Sequence, residues 1–344
     1  MFLKNSLRKF SILSFLLIVL AVTFIELPYY VTQPGDAQNL TPLVAVEGGH
    51  GSEGAFMLTT VLVGKANVVN YLWAKVSDYR DLYSIEEIRR DDESDEEYHT
   101  RQLHYMENSK ETAIIVAYTK ANKTIEIKDK GLVVLSIIEG MPSEKALQVG
   151  DRIVAADKHT IFNHEDLEVA IEGKKKGDII QFEIIRANES LTVTLPLAPF
   201  PKKYQVGTEE KVGIGISHKV ERELITDPKI EVDSEDIGGP SAGLMFTLAI
   251  YNQLVETDLT HGLKIAGTGT ISESGKVGPI GGIKQKVVAA DHAGAAIFFA
   301  PNEGGDEDSN YKNALKAAED IGTTMKIVPV DTFEDALNYL MNLK

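Results

Sequence analysis

The sequence predicts an α/β (α+β) protein of several domains, preceded by an N-terminal transmembrane helix. Three observations predict it. From about residue 206 onward, strand-like and helix-like runs alternate to the C-terminus. Residues 131–196 make a self-contained pattern of strand, short helix, strand, helix, strand, strand. Residues 10–25 (FSILSFLLIVLAVTFI) carry no charge at all. The chain has 344 residues, enough for two or three cores, and its 43% hydrophobic and 25% charged content is ordinary for globular domains. The lack of cysteine excludes a disulfide scaffold, a thiol nucleophile and thiolate metal sites. A net charge of −16 argues against phosphate backbones as partners.

Lys4, Arg8 and Lys9 precede the uncharged run, and residues 1–9 hold no acid. A helix through 10–25 is short of a ~30 Å hydrocarbon layer, and adding 27–31 closes the gap with Tyr29 and Tyr30 at headgroup level. A signal anchor over 10–31 follows, with residues 1–9 in the cytoplasm and the rest outside the cell membrane; its rival is a cleaved signal peptide with a weak site at Ala21-Val22-Thr23, past which apolar residues continue. Residues 32–55, rich in Gly, Pro and polar side chains, read as a linker plus a strand, and 56–63 (FMLTTVLV) as a strand. The acid-rich segment 86–97 reads as a solvated helix face or loop. Residues 112–118 fit a helix. In the unit 131–196, GLVVLSII is a β-branched strand, and residues 163–171 a helix opened by Asn163. Later come a strand at 229–232, an apolar helix over 240–255, a strand at 264–271 and a helix over 282–294 closed by Gly294. Thr332 and Asp335 fit a capping box for the last helix.

Two segments can carry chemistry. In Gly238-Gly239-Pro240-Ser241-Ala242-Gly243, Pro240 suits a first helical turn, which sets Ser241 where free N–H groups favour negative charge. Backbone at Gly239, Pro240, Ser241 and Ala242 is a candidate oxyanion cradle. A serine nucleophile needs a base. Neither His261 nor His292, the only histidines after Ser241, lies in a catalytic-looking setting. The alternative base is lysine: Gly281-Gly282-Ile283-Lys284-Gln285-Lys286 puts two lysines at a helix start. Burial makes a lysine basic enough to act by disfavouring its charged form. The two are about 200° apart on a helix, so both cannot face one serine. Spacing does not choose between them.

The strings GGPSAGLM, GTGTI, VGPIGGIKQK and APNE (229–304) resemble the proteolytic domain of Lon proteases. By that resemblance Ser241 is the nucleophile, Lys284 the general base, and Thr268 the residue that hydrogen-bonds the dyad lysine. Gly238 stands where that family commonly has Asp, with Asp236 two residues earlier. No phosphate loop accompanies Gly275-Lys276, because positions 270 and 277 are Thr and Val. Gly131-Leu132-Val133-Val134 and Leu147-x-Val149-Gly150-Asp151-x-Ile153-Val154 resemble a PDZ domain of the bacterial protease type. That likeness implies a peptide groove between the 131–138 strand and the 163–171 helix, with Gly131, Leu132, Val133 and Val134 as its binding residues. The whole resembles membrane-anchored, PDZ-bearing, ATPase-free Lon-like proteases of Gram-positive bacteria.

The expected organisation is a linker and N-terminal Lon-like part (32–124), an inserted PDZ domain (125–200) and a Lon-like part with the dyad (203–344). The resemblance implies a serine endopeptidase acting on exported peptides or proteins, without cofactor, metal or nucleotide, assembled as a homo-oligomeric ring, with a hexamer expected. The alternative is a non-catalytic, membrane-tethered PDZ scaffold that binds peptide termini.

Overall fold

A computed structural model describes residues 23–89, 93–205, 211–234 and 236–343. The chain divides into two compact units, Ile125–Ile225 and the two flanking segments, which come together as one. The principal strands in chain order are β1 (Glu26–Asn39), β2 (Ala55–Asn67), β3 (Asp81–Ser84), β4 (Thr124–Ile137), β5 (Arg152–Ala156), β6 (Ile179–Arg186), β7 (Glu189–Pro196), β8 (Ile216–Asp227), β9 (Lys264–Gly267), β10 (Ile297–Pro301) and β11 (Lys326–Val330). The principal helices are α1 (Val68–Ala74), α2 (Asp95–Lys120), α3 (His164–Ile171), α4 (Gly243–Leu254), α5 (Ile283–His292), α6 (Asn310–Asp320) and α7 (Phe333–Met341).

The flanking unit is built on a mixed sheet ordered β11–β10–β9–β2–β1–β3. Its β9, β10 and β11 run parallel, as strands joined through helices do, and β9 is also parallel to β2. Each of β10's five residues is buried, the continuous apolar run expected of a strand covered on both faces. Helix α4 is buried on nearly every side. Helices α5 and α6 close another part of the core through Ile283, Val287, Ala290, Ala314 and Ala317. Thr332 accepts from the Asp335 amide, and Asp335 answers with its carboxylate, so α7 starts in a capping box.

Of the expected anchor, residues up to 22 lie outside the described residues. Its continuation through 27–31 is corrected: these residues belong to β1. Tyr30 and Val31 pair with Lys65 and Gly64 of β2 on one side and with Tyr83 and Leu82 of β3 on the other. Both backbone edges are satisfied there, and both side chains are 5% exposed. The linker reading of the following residues also gives way, because β1 runs on to Asn39. Pro34 pairs with Val61 as the last residue before a break in register, and it lies past Thr32, where the pairing with β3 ends. Among the described residues, no helix is long and apolar enough to cross a membrane.

The inserted unit holds a five-stranded path, β8–β4–β5–β6–β7. Leu132, Val134, Ile153, Phe182 and Ile184 form its core, with α3 contributing Leu167 and Ala170. Its C-terminal limit differs from the expected 200. Strand β8 joins this sheet beside β4, fixed by Lys130–Glu223 and Arg152–Glu221 ion pairs of 2.6 and 2.8 Å. Residues up to 225 therefore belong to the insertion rather than to the C-terminal part.

Candidate active site

The loop before α4 is held from three directions. The Gly239 amide donates to the Gln102 carbonyl of α2 (2.8 Å), and Ser109 Oγ donates to the Pro240 carbonyl (3.1 Å). The Ser241 carbonyl accepts from the Gly269 amide (2.9 Å) and from Thr268 Oγ1 (3.0 Å). These bonds corroborate no oxyanion role for two of the four expected backbone positions. Gly239 spends its N–H on Gln102, and Pro240 has none. The amides of Ser241 and Ala242 remain.

Gly238, where a carboxylate was the expected family residue, has a steric cause. A Cβ there would lie 2.7 Å from Gln102 Cβ, inside α2's contact surface. Asp236 lines the cleft instead, together with Asp36, Gln38, Met106, Ser241 and Lys286, around a volume of about 280 Å³.

The lysine beside Ser241 is Lys286. Its Nζ lies 2.8 Å from Ser241 Oγ, 3.2 Å from Thr268 Oγ1 and 2.7 Å from the Thr59 carbonyl of β2. Lys284 is exposed and away from this cluster. The pairing of Ser241 with Lys284 is thereby corrected, and the reason is the face of α5. Ile283, Val287 and Ala290 enter the core, and position 286 shares their stripe, three residues after the first and four before the last. A periodicity count over 283–290 was the signal that could have chosen it. The helix starts at Gly282, in a left-handed conformation (φ 71°) where a Cβ would meet Val61 Cγ1 at 2.7 Å. That close approach to β2 brings Lys286 under Thr59.

Lys286 is 2% exposed, and burial pushes its amine down to about 7. Its partners suit an uncharged amine. The Thr59 carbonyl only accepts. Thr268 gives its own proton to the Ser241 carbonyl, so its oxygen also accepts from Lys286. Two N–H groups serve these two acceptors, and the nitrogen lone pair is left for the Ser241 hydroxyl. His261 is turned to the Leu340 carbonyl (3.0 Å), and His292 ends α5, so neither joins the cluster. Among the described residues no group of three or more His, Asp or Glu could hold a metal ion.

In the inserted unit, Gly131, Leu132, Val133 and Val134 offer no free edge, which corrects the expected groove. Strand β4 is interior, between β8 and β5, with Leu132 and Val134 fully buried. A Cβ at Gly131 would meet the Ile153 carbonyl at 2.4 Å. The strand facing α3 is β8: His164 Nδ1 of α3 lies 3.0 Å from His218 Nε2, the rings stacked at 5.1 Å. Strand β8 is entered through Gly213-Ile214-Gly215-Ile216.

Residues 106–197 match the PDZ domain family, and 230–342 match the Lon protease (S16) C-terminal proteolytic domain. The PDZ match begins inside α2, before the compact unit does. Similar proteins include the Lon protease of Metamycoplasma arthritidis, 37% identical over 106 residues, covering 31% of this chain and 12% of that protein. The Lon protease of Campylobacter jejuni is 31% identical over 183 residues, 48% of this chain and 22% of that protein. The chain thus spans less than a quarter of either relative. Among solved structures, the PDZ domain of an SdrC-like protein from Listeria innocua is 27% identical, with 26% of this chain and 92% of that chain covered, at a TM-score of 0.23. The chain carries a PDZ domain and a Lon-type C-terminal proteolytic domain.

Proposed function

We propose that this PDZ-bearing, Lon-like chain is a serine endopeptidase that works without ATP through a dyad of Ser241 and Lys286. One observation carries the reading: a lysine amine 2% exposed sits 2.8 Å from the serine hydroxyl. Neutral Lys286 takes the Ser241 proton as the oxygen attacks the scissile carbonyl. The Ser241 and Ala242 amides receive the oxyanion. The ammonium then formed returns its proton to the leaving amine, and water resolves the acyl-enzyme. Thr268 acts as a positioning residue, tying Lys286 to the Ser241 backbone.

The sequence has no phosphate loop, so the substrates are flexible or unfolded segments that need no unfolding motor. The uncharged run 10–25 supports an anchor in the cell membrane with the catalytic unit outside, the length lost when 27–31 joined β1 being made up by the long side chains of Arg8 and Lys9 reaching to the headgroups. The substrates are then exported peptides or proteins. Ring assembly of identical copies follows from the kinship to Lon. The free edge of β8, opposite α3, is where an extended peptide would add to the PDZ sheet.

Cleavage of an unstructured exported protein by the full chain tests the reading. Ser241→Ala and Lys286→Ala should each abolish it while Lys284→Ala leaves it intact. Undiminished turnover by the Ser241 variant would leave only a binding scaffold.

A further inference from the structure

Helix α1 wears its apolar residues on the outside. Val69, Leu72, Trp73 and Val76 are 41, 61, 53 and 81% exposed. At 100° per residue Val69, Leu72 and Trp73 fall within an arc of about 100° on one face, and Val76 follows just past the C-cap, Lys75. The opposite face, Tyr71 and Ala74, is already used: it packs on Leu27, Tyr29 and Val31 of β1, with the Tyr29 and Tyr71 rings 5.3 Å apart. So the stripe is not a core face left short of partners within its own unit. It is a second apolar surface on a seven-residue helix.

Where this surface lies suggests what covers it. Glu26, the first residue of β1, pairs with Asn67, the N-cap of α1. Phe24 and Ile25, just before it, are 78 and 51% exposed. They are the last residues of the uncharged run 10–25. The chain therefore leaves that run directly beside the stripe. A basic group flanks it: the Arg80 guanidinium lies 3.8 Å from the centre of the Trp73 ring. An aromatic ring and a cation beside an apolar stripe are the side-chain set of a membrane–water interface, although Asp78 follows in the same turn.

We propose that the α1 stripe, with Phe24 and Ile25, docks on the bilayer surface, seating the catalytic unit against the membrane rather than leaving it on a tether. The inference rests on the membrane-anchored reading above. Its occupant is lipid: the acyl–headgroup boundary receives Leu72, Trp73 and Val76, and anionic headgroups meet Arg80.

Trp73 is the only tryptophan in the chain, so its fluorescence reports this face alone. The full chain is reconstituted into phosphatidylcholine–phosphatidylglycerol vesicles carrying bromines at chosen acyl positions. Expected are flotation with the vesicles and a roughly twofold loss of Trp73 emission, strongest for bromines close to the headgroup. Leu72→Glu with Val76→Glu should abolish the quenching while flotation and peptide cleavage persist, the cleavage showing that the variant folds. Flotation with unquenched Trp73 overturns the docking and leaves the anchor standing. Unquenched emission that shifts to the blue as protein density rises assigns the stripe to a second copy, and also overturns it. A chain that does not float removes the anchor and this inference with it.

Discussion

The reaction of Ser241 with a small acylating reagent should follow the neutral fraction of Lys286. An ordinary lysine, near 10.5, is neutral in only about three molecules in ten thousand at pH 7. Burial brings Lys286 to about 7, so about half is neutral there. The gain in available base at pH 7 is on the order of 10³-fold, equivalent to about 4 kcal/mol at ~1.4 kcal/mol per decade. Intact-mass measurement of acyl-Ser241 against time, from pH 5 to 10, reads this directly. The rate should fall about tenfold per pH unit below 7 and level off above about 8. Lys286→Met should lower the rate by on the order of 10³-fold and remove the pH dependence. The same burial has an opposite effect on stability. The unfolded lysine keeps its proton up to about 10.5 and the folded one releases it near 7, so this group makes stability rise with pH across that interval. A rate still climbing tenfold per unit at pH 9, or an unaltered profile in Lys286→Met, would refute the reasoning.

Thr268→Val keeps the shape but removes both the acceptor for Lys286 and the donor to the Ser241 carbonyl; kcat should drop about 10²-fold with KM little changed in steady-state peptide assays. Gly238→Asp forces a side chain against Gln102 and should cost about 1–3 kcal/mol in a urea melt, without supplying a better site. Asp151 is 1% exposed and accepts from Arg186 Nε and Nη2 at 2.7 and 2.6 Å, so Asp151→Ala should destabilise the inserted unit by about 2–3 kcal/mol, seen as early loss of its amide protection in hydrogen exchange. Gly215→Ala meets a positive φ of 87° and a Cβ 2.2 Å from Met141 Cβ, and should unfold the same unit at lower denaturant while acylation of Ser241 persists.

Much of the site was legible along the chain. Thr268 is reached only through the family resemblance, whereas Ser241 ahead of an apolar helix and two lysines after Gly281-Gly282 are local patterns, set by which conformations and charges a helix start tolerates. So was the incompatibility of Lys284 and Lys286 as joint partners, which needs only the helical period. The choice between them also had a local signal, the stripe Ile283–Val287–Ala290, but resemblance pointed to the neighbour on the exposed face. Other features had no local signal. That Gly238 cannot carry a side chain depends on Gln102, 136 positions away in the chain. That residues 27–31 form a strand depends on β2 and β3 supplying both ladders, since an apolar, aromatic run fits a membrane helix or a buried strand equally well. The PDZ edge moved for the same reason. The β-branched run at 131–138 announces a strand, but whether that strand is interior or at the edge is settled by β8, which arrives from some 90 residues later. Propensity and periodicity act over a few residues and report what an element is. The neighbours of that element, and with them the burial that lowers an amine's pKa or closes a strand's edge, come from contacts between distant segments, which no short window contains.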